Sequence, residues 1–213
     1  MMISKTQGKR ERSKAANREA ILDAARLVFA ELGYETTTVR DIIRRTDLAS
    51  GTFYNYFKSK EEIFEALAET SAAEFGRLLR TLPRENISFE EYLKCAFSAY
   101  FHFIVERHAE VLRLAAPKIH ISDVRSDTPE MNAIFQEIRK DIETILASEG
   151  SPDIDTAYLT ASAIGIAREL GDVMLTRISN DQDQTEKLVE QATDFATNLI
   201  LCGIRHAFDE IRT

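Results

Sequence analysis

The chain has 213 residues, 44% hydrophobic and 29% charged, with 27 Lys and Arg against 35 Asp and Glu for a formal net charge of −8. That balance belongs to a soluble globular protein long enough to build a full core, and it excludes disordered, collagenous and fibrous classes. The two cysteines, Cys95 and Cys202, stand apart in apolar stretches, which argues against a disulfide framework or a cysteine-based zinc site. No apolar run approaches a membrane span, and the N-terminus is polar and basic. A cytoplasmic protein with no membrane partner is expected. The charge is segregated: residues 1–60 hold 12 basic and 7 acidic side chains, a net of +5, whereas residues 61–213 sum to −13. A basic segment on an acidic chain is the footprint of a module that meets a polyanion, with the acidic remainder favouring one docking orientation.

With 8 Gly and 4 Pro and no alternating strand pattern, the chain reads as all-α, with about nine helices. Ile21, Leu22, Ala25, Val28, Phe29 and Leu32 recur at helical spacing and Gly33 follows as a left-handed cap, predicting a first helix over about Lys14–Leu32. A short helix at about Val39–Thr46 opens on Thr38 as N-cap, with Asp41 in its first turn. Another covers Ser50–Tyr56, and Ser59 with Glu62 opens a long helix from Lys60 to about Thr81. Ser88 with Glu91 starts a helix to about Glu106 that is apolar around most of its circumference and must be buried. A short helix near Ala109–Ala115 and a loop over Lys118–Asp127 precede Thr128-Pro129, an N-cap with proline at the first helical position. That helix runs to about Ser148, where Gly150 closes it, and two more cover about Ile154–Ile178 and Thr185–Ile211.

The two short helices, joined by a three- or four-residue turn, have the proportions of a helix-turn-helix whose second helix enters the major groove. Within Ser50-Gly51-Thr52-Phe53-Tyr54-Asn55-Tyr56-Phe57, Phe53 and Phe57 are four apart and can share a core face. Ser50, Thr52, Tyr54 and Asn55 then remain to meet DNA, with Gly51 sparing bulk near the base edges. Taken alone, the segment is read equally well with Tyr54 and Tyr56 as core aromatics. Residues 18–67 as a whole, above all Gly-Tyr-Glu-Thr-Thr-Thr-Val-Arg-Asp-Ile and Gly-Thr-Phe-Tyr-Asn-Tyr-Phe-Lys-Ser-Lys-Glu, closely resemble the DNA-binding domain of TetR/AcrR-family transcriptional regulators.

The resemblance implies a flexible basic arm over 1–13, a three-helix DNA-binding domain over 14–60 with its recognition helix at about 50–56, and a ligand-binding and dimerisation domain over 61–213. By analogy Thr38 holds a phosphate and Arg40 reaches a base edge. Ser50, Gly51, Thr52, Tyr54 and Asn55 lie on the recognition helix, while Tyr56 and Lys60 are similar to the family's phosphate clamps. Arg44 and Arg45 either touch the DNA backbone or form a solvated face. The arm with Lys5, Lys9, Arg10, Arg12 and Lys14 either enters a minor groove or is an ordinary terminus. The implied function is a regulator, a repressor by the family's commoner habit, that binds a palindromic duplex operator as a homodimer and is released by a small hydrophobic effector. Leu159, Ala163, Ile166, Leu170 and Val173 with Leu188, Ala192, Phe195, Leu199 and Ile200 are the expected dimer seam.

For the effector, Phe97, Tyr100, Phe101, Phe135 and Tyr158 are candidate pocket residues, each also readable as plain core. Arg113, Arg168 and Asp172 interrupt apolar helices and need partners; Arg168 and Asp172, four apart, are expected to satisfy each other or to await a ligand. His102, His108 and His120 make no metal pair, and neither a metal nor a cofactor is expected. The competing classes are a helical small-molecule-binding module and an enzyme, both without specific DNA binding. The first does not explain the charge segregation; the second lacks any HExxH motif or Gly-rich phosphate loop.

Overall fold

A computed structural model of the protein describes residues 4–109, 128–150 and 154–211. Among these residues the secondary structure is helical: α1 (Ser4–Leu32), α2 (Val39–Arg44), α3 (Ser50–Phe53), α4 (Lys60–Leu79), α5 (Phe89–Arg107), α6 (Pro129–Ser148), α7 (Thr156–Asn180), a 3-10 turn at Gln182–Gln184, and α8 (Thr185–Ile211). The helix expected near Ala109–Ala115, the loop after it and Arg113 fall on residues 110–127, outside the described residues. No described helix is long and apolar enough to cross a membrane.

Most helix ends are the ones the cap residues predict. Thr38 and Ser88 each accept from the backbone N–H three residues on, and the carboxylates of Asp41 and Glu91 return to the cap N–H, which satisfies two otherwise orphaned donors. Thr128 accepts from Met131 N–H, with Pro129 at the first helical position. Asp155 caps α7 through the N–H groups of Ala157 and Tyr158. Gly33, at φ 79°, ends α1 in the left-handed conformation that other residues adopt only with strain. At Ser59 the box is altered: Ser59 accepts from Glu62 N–H at 3.2 Å, but Glu62 reaches back to Lys58 N–H at 2.7 Å.

The helix starting at Ser4 corrects the expected start at Lys14 and the flexible arm before it. Residues 4–16 are mainly Lys, Arg, Glu, Gln and Ala, good helix formers without a proline, but they lack the apolar periodicity by which a helix is recognised. Helix α3 is shorter than expected, passing into turns at Tyr54–Tyr56 closed by Asn55 N–H to Thr52 O at 3.1 Å and Tyr56 N–H to Phe53 O at 2.9 Å.

The chain divides into two compact units between Thr70 and Ser71, within α4. The expected boundary at residue 60 is too early because Ile63 and Ala66 belong to the N-terminal core. That core gathers Ile21, Leu22, Ala25, Val28 and Phe29 of α1 with Ile42, Phe53 and Phe57, all buried. In the second unit α5 lies against α7 and α8, and α7 against α6 and α8. At Gly171 α7 comes close to α5: a Cβ there would lie 2.7 Å from Ile104 Cδ1, and the end of that side chain would have to shift.

Candidate nucleic-acid interface

The geometry of the recognition segment follows from two anchors. Phe53 is fully buried and Phe57 nearly so, as their four-residue spacing predicts. With those rings inward, Ser50, Gly51, Tyr54 and Asn55 are exposed and Thr52 is half-buried. Tyr54 leaves 55% of its surface in water, a large exposure for an aromatic with a core within reach, and its ring stands edge-on to Phe53 at 5.6 Å. The reading of Tyr54 as a core aromatic is therefore set aside.

The elements before α3 are fixed by polar ties. Thr37, buried at the α1–α2 turn, donates its hydroxyl to Gly33 O at 2.7 Å. Thr38 is exposed and its hydroxyl donates to Asp41 Oδ2 at 2.5 Å. That bond and the cap N–H hold the Asp41 carboxyl below the usual carboxylate range. Arg40 and Arg44 are exposed on α2. Arg45 is committed elsewhere, making a two-pronged pair with Glu31 of α1 at 2.8 and 2.7 Å.

Tyr56 and Lys60 have structural partners that the sequence did not reveal. Asn17 of α1 donates its amide N–H to the Tyr56 hydroxyl oxygen at 3.1 Å, leaving the phenolic hydrogen to donate outward. Lys60 Nζ donates to the carbonyls of Tyr34 and Glu35 at 2.9 and 3.1 Å and lies 4.5 Å from the centre of the Tyr34 ring. Burial, with the Glu61 carboxylate next in weight, pushes the Tyr34 phenol up to about 12. Lys60 thus ties the start of α4 to the turn after α1, with one ammonium hydrogen left over. Asn17 and Glu31 gave no motif signal, and Tyr34, though within the Gly-Tyr-Glu-Thr run, gave no sign of this role, since each acts through a partner far away in sequence.

The C-terminal candidates separate into core and surface. Phe97 and Phe101 are buried and stacked at 6.2 Å, Tyr100 meets Phe101 at 5.7 Å, and Phe75 meets Tyr100 and Phe103 at 5.5 Å each. Burial, then the Asp172 carboxylate, raises the Tyr100 phenol to about 12. Phe135 and Phe75 each pack against the cluster of Ala72, Leu79 and Ile134. Tyr158 is 77% exposed, which removes it from any interior pocket. Arg168 pairs with the adjacent Glu169 at 2.7 Å, correcting the expected pairing with Asp172; both partners are well exposed, where an adjacent carboxylate serves as well as one a turn away. The expected dimer seam mixes two faces: Leu159, Ala163 and Ile200 are buried within the unit, whereas Val173, Phe195 and Leu199 are 48%, 59% and 49% exposed. Among the described residues no cluster of His, Cys, Asp and Glu could hold a metal.

Residues 21–67 match the family described as bacterial regulatory proteins, tetR family. The chain is 35% identical over 111 residues to the HTH-type transcriptional repressor KstR2 of Mycolicibacterium smegmatis, a match spanning 52% of this chain and 54% of that protein. It is 27% identical over 170 residues to the fatty acid metabolism regulator protein of Bacillus subtilis, over 76% of this chain and 84% of that one. In fold it is similar to the transcriptional regulator FadR of Bacillus subtilis, solved in complex with stearoyl-CoA, with a TM-score of 0.59 and 22% identity over 85% of this chain and 96% of that one. The N-terminal likeness is thus the specific one, while the chain spans only about half the length of the KstR2 protein. The family likeness is carried by residues 21–67, a segment that matches the tetR family of bacterial regulatory proteins.

Proposed function

We propose that this protein is a transcriptional repressor that binds a two-fold symmetric operator as a homodimer and leaves it on binding an apolar effector. The observation that carries the reading is the inward anchoring of Phe53 and Phe57, which turns Thr52, Tyr54 and Asn55 toward a major groove. Thr38, Arg40 and Tyr56 supply backbone and base contacts around them, and Lys60 adds charge with its remaining hydrogen. Arg44 is an exposed backbone contact, whereas Arg45 serves the fold through Glu31.

The homodimer joins through the exposed apolar side chains of α7 and α8. Val173, Phe195 and Leu199 are apolar surface that a monomer leaves in water, and Phe195 and Leu199 are four residues apart on one helix face. A two-fold symmetric dimer reads a palindrome, with half-sites about one duplex turn, roughly 34–36 Å, apart.

The effector we infer is a long acyl chain or acyl thioester. Supporting this are the aromatic cluster of Phe75, Phe97, Tyr100, Phe101 and Phe103, together with the likeness to a fatty acid metabolism regulator and to a regulator solved with stearoyl-CoA. To weaken operator affinity tenfold the ligand needs only about 1.4 kcal/mol of preference for the free protein over the DNA-bound one. The test is fluorescence anisotropy of the protein on selected operator DNA, titrated with stearoyl-CoA and, separately, with coenzyme A. Release by the acylated compound alone is expected. Release by neither removes the acyl effector, and failure of DNA binding removes the repressor.

A further inference from the structure

Helix α1 meets the end of the recognition segment at two places. Asn17 donates to the Tyr56 hydroxyl at 3.1 Å, and the guanidinium carbon of Arg18 lies 5.3 Å from the centre of the Phe57 ring. Successive residues of a helix are turned by about 100°, so these two contacts fix which side of α1 faces Tyr56 and Phe57. Counted back from Asn17, Lys14 is three residues away and Arg10 seven, which puts all three within about 60° of one another around the axis. Arg12 lies about 160° round the helix from both Arg10 and Lys14.

Further along α1 the same side carries Ile21, Ala25 and Val28, which are buried in the N-terminal core. The side that is apolar where the unit covers it is therefore cationic where it runs past the unit. Arg10 and Lys14 are exposed there, and neither has a carboxylate partner among the described residues. The helical state also decides which part of a duplex these cations can reach. An α-helix with its side chains is about 10–12 Å across, too thick for a minor groove about 6 Å wide, so α1 meets DNA from outside that groove.

We infer that Arg10 and Lys14 bind DNA phosphates and extend the interface along α1 beyond Tyr56. The helix carries them about 4.5 and 10.5 Å past Asn17 along its axis, so they follow the sugar-phosphate backbone beside the groove that Tyr54 and Asn55 enter. Such contacts position the protein and strengthen binding to every sequence, without reading bases. Because the cations are held on a helix before DNA arrives, less chain is ordered on binding than for a loose tail. The inference rests on Tyr56 lying at the duplex, as the operator-binding reading has it.

The test is fluorescence anisotropy of the full-length protein on its selected operator and on an unrelated duplex, over a series of salt concentrations. Arg10→Gln and Lys14→Gln remove a charge while keeping a good helix former. Each should flatten the dependence of log affinity on log salt by about one unit of slope for each protomer bound, and weaken both duplexes by the same factor. Arg12→Gln, which removes the same charge from the other side of α1, should leave the slope as it is in the parent. The melting temperature should be unchanged in all three variants. A slope unaltered by Arg10→Gln and Lys14→Gln overturns the inference, and so does one flattened equally by Arg12→Gln, which would make the segment an unoriented basic tail. Tyr56→Phe at full parental affinity takes Tyr56 off the duplex, and failure of the parent to bind any duplex removes the operator reading; either overturns the inference with it.

Discussion

Replacing Lys60 by Met keeps the aliphatic stem and deletes the ammonium, so it isolates what that charge does. In the structure the ammonium serves the carbonyls of Tyr34 and Glu35 and the face of the Tyr34 ring. The part-buried bond to Tyr34 O contributes about 1 kcal/mol and the exposed one to Glu35 O about 0.5 kcal/mol. The ring contact adds about 0.5 kcal/mol at so exposed a site. Lys60→Met should therefore lower the unfolding free energy of the N-terminal unit by about 2 kcal/mol, measured by urea denaturation followed by circular dichroism. The same variant should weaken binding to all DNA sequences alike and flatten the salt dependence by about one unit of slope. Loss of DNA affinity with unchanged stability would refute the reasoning, because it would mean that the ammonium is free for phosphate and ties nothing together.

Four other substitutions probe the remaining parts of the account. Tyr54→Ala or Thr52→Val should weaken operator binding by about 1–3 kcal/mol, with unchanged mass in light scattering; full affinity in both variants would remove them from the interface. Phe195→Glu places a charge on the exposed face of α8, and sedimentation should show a dimer for the parent and a monomer for the variant; a variant dimer of unaltered stability would move the interface elsewhere. The Asp41 carboxyl, held low by its bonds to Thr38, stabilises α2 above the ordinary carboxylate pKa, and that contribution is lost as pH falls through its depressed value. Asp41→Asn should therefore flatten the acid limb of the stability profile, and an unaltered limb would place the acid sensitivity in other carboxylates.

Local signals in the sequence located most of the architecture. Thr38 with Asp41, Ser88 with Glu91, and Thr128 with Pro129 mark helix starts because a cap bonds to a backbone group three residues away. The four-residue spacing of Phe53 and Phe57 likewise foretold which side of the recognition segment faces water. What stayed illegible depends on distant partners or on exposure. Nothing near Lys60 announces that its ammonium belongs to carbonyls some twenty-five residues earlier, nor near Tyr56 that Asn17 takes a lone pair of its hydroxyl. The first turns of α1 escaped notice because a polar helix has no apolar stripe. On α7 and α8 the apolar residues cover more than one face, so periodicity alone did not separate Ala163 and Ile200, which are buried, from Val173 and Phe195, which are exposed. Arg168 shows the same limit in the other direction, since helical spacing favoured Asp172 while the adjacent Glu169 was within reach.

The central claim is that the exposed face of α3 and the turns after it read a two-fold symmetric duplex. In vitro selection by the purified full-length protein from random double-stranded DNA, at two salt concentrations, tests it most directly. The account predicts enrichment of one palindromic motif with half-sites about one duplex turn apart, and loss of that enrichment in Tyr54→Ala. Recovery of no common motif at either salt concentration, or of a motif that Tyr54→Ala still selects unchanged, would contradict it.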